Sequence, residues 1–283
     1  MASQAARDLC WVVNSPSLIR GANVASAAPI DVHDIDEAHL EHFLATRTTG
    51  SSVGRYFEHL LHFWLSHVRK VDVVATGMQL KEGNVTVGEL DFLYRDDAAQ
   101  LVHNEASVKF YLHAPGTEPS EYLGPNARDN FEHKIAKLFD QQLSASVGRV
   151  DGIDRREGFV RGMIFYHTQQ SSATPPERLD PDHGRGFWNY VHELDDLNSP
   201  GKVYLIVQRP HWLAPVEPSL VLSFGELEDQ MDAHFNAPLN SGRSKTADFG
   251  RGGHPLMVSI RDEAAPHLET ERGFIVDHDW PAS

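Results

Sequence analysis

The stretch Tyr56 to Val68 carries the clearest rhythm in the chain. Phe57, Leu60, Leu61, Trp64, Leu65 and Val68 recur at helical spacing, which predicts a helix with one buried face. Thr48, Thr49, Ser51 and Ser52 precede it as N-cap residues. The pattern then turns to period two. Strands are predicted over 71–78, 85–94 and 101–112, with Gly83-Asn84 turning the chain after the first and the polar run 95–100 closing a hairpin between the other two. A loop over 113–127, with Pro115, Gly116, Pro119, Gly124 and Pro125, leads into a second helix over 129–143. Its inner stripe is Phe131, Ile135, Leu138, Phe139 and Gln142; Lys134, Lys137 and Gln141 lie on an adjacent polar stripe.

Outside this region the pattern is weaker. A short helix fits 34–45, after a turn at Asn14-Ser15-Pro16-Ser17. Strands fit 159–167, 203–208 and 220–224, a weak helix fits 225–235, and 171–186 reads as a long loop. Residues 236–256, rich in Gly, Ser and Arg, read as mobile. The chain divides into an N-terminal extension (1–50), a core (51–145), a continuation of the sheet or C-terminal elaboration (146–235) and a partly mobile tail (236–283). The expected fold is α/β, α+β in detail, with a mixed sheet flanked by helices.

Composition narrows the function. In 283 residues, 41% are hydrophobic and 23% charged, as in ordinary globular domains. No apolar run approaches a bilayer span, and no basic-then-apolar leader opens the chain, so a cytoplasmic protein without membrane contact is expected. The single cysteine, Cys10, rules out an internal disulfide. Lys+Arg total 25 against 40 Asp+Glu, a formal net charge of −15. That field repels nucleic acid at long range, so a nucleic-acid partner is disfavoured unless cations offset it; a protein partner stays open.

At period two, Val87, Glu89 and Asp91 share one face of the second strand, while His103, Glu105, Ser107, Lys109 and Tyr111 share one face of the third. The hairpin thus aligns Asp91, Glu105 and Lys109. Paired carboxylates are hard oxygen ligands suited to Mg²⁺ or Mn²⁺ alongside substrate phosphate. A neighbouring lysine serves to orient or deprotonate water. The same residues admit plainer readings: Asp91 as a solvent-facing strand residue, Glu105 with Lys109 as a surface ion pair, and Lys134 with Lys137 as a solvated helix face. Glu89 shares the parity of Asp91 and is an alternative ligand.

The passages Gly54-Arg55-Tyr56-Phe57-Glu58, Gly88-Glu89-Leu90-Asp91-Phe92-Leu93 and Glu105-Ala106-Ser107-Val108-Lys109-Phe110-Tyr111-Leu112 resemble an uncharacterised bacterial family assigned to the PD-(D/E)xK nuclease superfamily. Gly124-Pro125, Asp129, Lys134 and Gln142-Leu143 are similar to the helix that follows there. The resemblance covers about 54–143. It implies a restriction-endonuclease-like mixed sheet, a Mg²⁺ (or Mn²⁺) ion held by Asp91 and Glu105 with Glu58 nearby, Lys109 as catalytic lysine, and Lys134, Gln141 or Gln142 touching phosphate. The superfamily usually spaces acid and lysine two apart; here Glu105 and Lys109 are four apart, roughly 13 Å of strand.

The expected function is therefore metal-dependent phosphodiester hydrolysis on nucleic acid, with hydrolysis of a small phosphorylated metabolite as a third possibility. The alternative is a nuclease-like fold used for binding without turnover. His59, His62 and His67 lie on one helix without a His-Glu-x-x-His pattern, which removes a zinc protease, and no nucleophile elbow, phosphate loop or dinucleotide fingerprint occurs.

Overall fold

A computed structural model describes residues 2–47, 50, 52–170, 174–235 and 254–282. Five helices and nine strands are described: α1 (Gln4–Asn14), α2 (Glu37–Ala45), α3 (Val53–Phe63), β1 (Asp72–Glu82), β2 (Val85–Arg95), β3 (Leu101–His113), β4 (Tyr122–Leu123), α4 (Phe131–Lys137), β5 (Arg155–His167), β6 (Gly184–Tyr190), β7 (Lys202–Val207), α5 (Phe224–Phe235), β8 (Leu256–Asp262) and β9 (Glu269–Val276). The strands form one mixed sheet in the order β1-β2-β3-β5-β6-β9-β8-β7, with β4 beside β3. The β1–β2–β3 and β7–β8–β9 runs are antiparallel, whereas β3–β5, β5–β6 and β6–β9 are parallel. The fold is α+β. Among the described residues no helix is long and apolar enough to cross a membrane.

Both long core helices end in π-helical turns, α3 through Trp64–Val68 and α4 through Leu138–Gln142. Ser52 caps α3, its hydroxyl accepting from the Arg55 amide. The face of α3 that the sequence marks as apolar packs on one side of the sheet, where Phe57, Leu60, Leu61, Trp64 and Leu65 meet Phe92, Val102, Ala106, Val108 and Phe159. On the other side, Phe131, Ile135 and Leu138 of α4 and its π turn cover Tyr111, Val160 and Ile164. A third cluster lies where α5 packs against β7, β8 and β9. The parity of β3 is thus divided between two helical layers, which explains why the strand is buried along nearly its whole length.

Some expectations differ from the structure. The described part of the expected N-terminal extension contributes to the core. Ala6, Leu9 and Val12 of α1 are fully buried in the main core, and Asp8 accepts from the Tyr56 hydroxyl and the Ala214 amide. Its spacing passed unread because Arg7, Asp8 and Cys10 interrupt the apolar run. The expected loop over 171–186 ends inside β6, which starts at Gly184. The expected strand over 220–224 reduces to a bridge between Leu222 and Tyr204 before α5 begins. The tail contains β8 and β9, and β9 is the strand that joins β6 to β8. A strand buried on both faces lacks alternation, so Phe274, Ile275 and Val276 gave no period-two signal. The expectation of mobility over 236–253 lies outside the described residues.

Candidate metal centre

The site forms where β2 and β3 part. Their ladder runs from Arg95–Leu101 to Phe92–Asn104, and beyond it β2 pairs with β1 alone. Asp91 sits at the point of separation. Its Oδ2 accepts from the Ala106 N–H of β3 at 2.9 Å, so a side chain takes over where the ladder bonds cease. This contact ties the Asp91 carboxylate to the β3 segment that carries Glu105.

Glu105 is 1% exposed and is held from both sides. Its Oε1 lies 2.7 Å from His103 Nε2, and its Oε2 accepts from Gln142 Nε2 at 2.9 Å. Behind His103, Nδ1 is 3.0 Å from Ser146 Oγ, which accepts from Arg156 Nε at 2.9 Å. One assignment satisfies every group: Arg156 donates to Ser146, Ser146 to His103, and neutral His103 to Glu105. Each Glu105 oxygen then keeps a second lone pair. Such outer hydrogen bonds fix the direction of a ligating carboxylate.

The electrostatics mark the same place. Burial, then the neighbouring Glu105 carboxylate, pushes the Asp91 carboxyl up to about 7, against the lowering effect of the Ala106 N–H; Glu58 and Glu89 raise it further. Glu58 on α3 is also raised, by burial and then by Glu89. Lys109 is half-buried, and burial holds its ammonium below the usual lysine range despite Asp129, Asp91 and Glu58 nearby. Asp91 therefore feels Glu105, Glu58 and Glu89, and Lys109 feels Asp91 and Glu58, across β2, β3 and α3. Concentrated like charge of this kind is relieved by a bound cation.

Two close backbone approaches shape the lysine end. Gly162 of β5 is in register with Lys109 at φ +151°, and a Cβ there would stand 1.7 Å from the Lys109 carbonyl oxygen. Only glycine fits. At Gly124 a Cβ would meet Asp129 Oδ1 at 2.1 Å. That approach seats Asp129 near Lys109, and Lys134 lies 3.8 Å from the Asp129 carboxylate. The buried Tyr111 hydroxyl, on the same strand face as Lys109, has no hydrogen-bond partner.

Of the residues expected from sequence, Asp91, Glu105 and Glu58 lie within electrostatic reach of one another, and Lys109 lies within reach of Asp91 and Glu58. Glu89 joins them but is exposed. Gln142 touches Glu105, Lys134 pairs with Asp129, and Gln141 is exposed. Among the described residues, no group of three His, Cys, Asp or Glu side chains is already gathered to hold a metal ion. Magnesium does not require one, since it keeps several waters and binds through one or two carboxylates. His103, Ser146, Arg156 and Asp129 were not foreseen as site residues. The shared parity of His103 and Glu105 was visible, but their contact with Ser146 and Arg156 depends on the loop after α4.

A family model described as "Domain of unknown function (DUF1853)" matches residues 7–276. No curated protein matches the chain, and no solved structure does.

Proposed function

We propose, for a chain that belongs to the DUF1853 family, that Asp91 and Glu105 hold a Mg²⁺ or Mn²⁺ ion and that the protein hydrolyses phosphodiester bonds. The observation that carries this reading is geometric: where β2 leaves β3, the Ala106 amide fixes the Asp91 carboxylate on the strand that holds the buried Glu105, and the raised Asp91 carboxyl is in keeping with the acidic groups around it. An arrangement this costly to ionise fits a cation that neutralises it. The order helix, strand, hairpin bearing Asp91 and Glu105, helix agrees with the resemblance to PD-(D/E)xK nucleases.

In this reading the Ala106 amide orients Asp91, while His103 and Gln142 orient Glu105. When bound, the ion supplies Lewis acidity toward a phosphoryl oxygen and makes water more acidic. Lys109, with a lowered proton affinity, presents Nζ as an acid–base group for the attacking water. Lys134, held by Asp129, offers positive charge to a phosphate oxygen. Nucleic acid is the substrate class favoured by the resemblance, reached against a net charge of −15.

A second reading, binding without turnover, draws on one observation: both Glu105 oxygens already have protein partners. Cleavage assays separate the two. Labelled single- and double-stranded DNA and RNA, and a chromogenic phosphodiester, are incubated with Mg²⁺ or Mn²⁺. The proposal expects cleavage by the wild type and a loss of about 100-fold or more in folded Asp91→Asn, Glu105→Gln and Lys109→Met. Cleavage that survives all three, or none by the metal-loaded wild type, rejects hydrolysis at this site.

A further inference from the structure

On the opposite face of the sheet, a second feature is unexplained by phosphodiester chemistry. Arg161 of β5 is in register with Val108, so it points away from the Glu105 and Lys109 row. Its side chain is 4% exposed. The guanidinium lies 4.0 Å from the centre of the Phe159 ring, and Nε donates to the Val12 carbonyl near the end of α1 at 3.2 Å. Among the described residues its two terminal nitrogens have no hydrogen-bond acceptor, and no carboxylate pairs with it. Burial alone lowers its proton affinity, to about 10, with no acidic neighbour compensating. The terminal nitrogens reach solvent rather than a protein partner, and a guanidinium this enclosed with no paired carboxylate favours an anion that can reach it.

The guanidinium opens onto a cleft of about 570 Å³ between the end of α1 and the segment 17–29. This cleft is a fixed piece of the fold. Because β6 pairs only with residues 163–167 of β5, the earlier part of β5 has a free edge, and the 18–25 segment occupies it. Leu18 N–H donates to Val160 O and Ala25 N–H to Gly158 O. Asn14 exchanges two hydrogen bonds with Ile30, tying the far wall to α1. Val13, Ile19 and Val24 supply apolar walls, while Asp180 lines another part of the cleft.

We infer that this cleft binds a small molecule through one carboxylate or phosphate group, received by the Arg161 guanidinium. The planar fork with both terminal nitrogens free suits bidentate capture of either group. Apolar walls accept the body of the ligand, while Arg20 and Asp180, which also line the cleft, set a second cation and a hydrogen-bond acceptor beside it. The site is separate from the carboxylate centre, across the thickness of the sheet.

The experiment is thermal unfolding of the metal-free full chain in EDTA, with sodium phosphate or sodium acetate compared against sodium chloride at equal ionic strength. The expected result is a higher midpoint with at least one of the two, corresponding at ten times Kd to an about tenfold shift in the unfolding equilibrium. Phosphate alone acting identifies a phosphate ester as the ligand class, and acetate alone a carboxylate. Arg161→Gln abolishes the increment. Ser26→Trp, at an exposed lining position, fills the cleft with Arg161 intact and abolishes it too, so the test survives misfolding of the arginine variant. Asp91→Asn keeps the increment. No increment over chloride, or an equal one in Ser26→Trp, overturns the inference.

Discussion

At the scale of single residues, Asp91 is where ionisation and stability are most tightly linked. Its folded pKa of about 7 lies above the ordinary aspartate value, so the folded state favours the protonated carboxyl. The metal-free protein therefore loses stability as pH rises from about 4 through 7, while the unfolded chain ionises first. Asp91→Asn keeps an acceptor for the Ala106 N–H and removes the charge. Denaturant titrations in EDTA at pH 5 and pH 8 are expected to show the variant's advantage over wild type growing by about 1–3 kcal/mol between the two pH values. The His103 and Gln142 contacts act differently, since they hold Glu105, the proposed ligand, without themselves binding the ion. His103→Ala and Gln142→Ala should each weaken Mn²⁺ affinity about 10- to 100-fold by calorimetry, with the circular-dichroism spectrum unchanged. Asp91, Glu105 and Lys109 were legible in the sequence because period two places them on one face of a hairpin. The relay through Ser146 and Arg156 was not, because parity says nothing about which loop closes over a strand.

At the scale of elements, the separation of β2 from β3 creates the site, and the β3–β5 pairing fixes its lysine end. Gly162→Ala forces a Cβ onto the Lys109 carbonyl in a backbone conformation that disfavours side chains. Chemical denaturation is expected to show a loss of about 2–4 kcal/mol. An unchanged midpoint contradicts the close β3–β5 approach. The helix 129–143 was legible from its apolar stripe, although its last turn is π-helical rather than α-helical. That widening is invisible to a 3.6-residue period, yet it carries Gln142, which reaches Glu105. β1 and β2 were legible because they lie toward the solvent-exposed edge of the sheet, and β3 because polar His103, Glu105, Ser107 and Lys109 alternate with mostly apolar neighbours even though both its faces are covered. α1, β6, β8 and β9 escaped because charged residues interrupt the first and the others lie against neighbours on both edges of an interior sheet.

At the scale of the whole molecule, a nine-stranded sheet sandwiched by helices integrates both ends of the chain, so α1 and β9 belong to the same structure as the hairpin. Charge and histidines set its response to acid. His62 on α3 is held at about 4 by burial and then by Arg47, His67 and His59, among the rings of Phe43 and Phe92. Between pH 6.5 and 4 the unfolded chain takes up a proton that folded His62 refuses, so stability falls through that window. His62→Gln is expected to flatten the decline, read from denaturation midpoints at pH 7, 6, 5 and 4. The net charge of −15 opposes a bare polyanion by field alone, and a cation at the proposed carboxylate site would offset it. The most direct test is calorimetric titration of the metal-free protein with Mn²⁺ at pH 7.5, wild type against folded Asp91→Asn and Glu105→Gln. Saturable binding by the wild type, lost in both variants, is the predicted result. A wild type that binds no Mn²⁺, or variants that bind it as tightly, would contradict a metal centre built on Asp91 and Glu105.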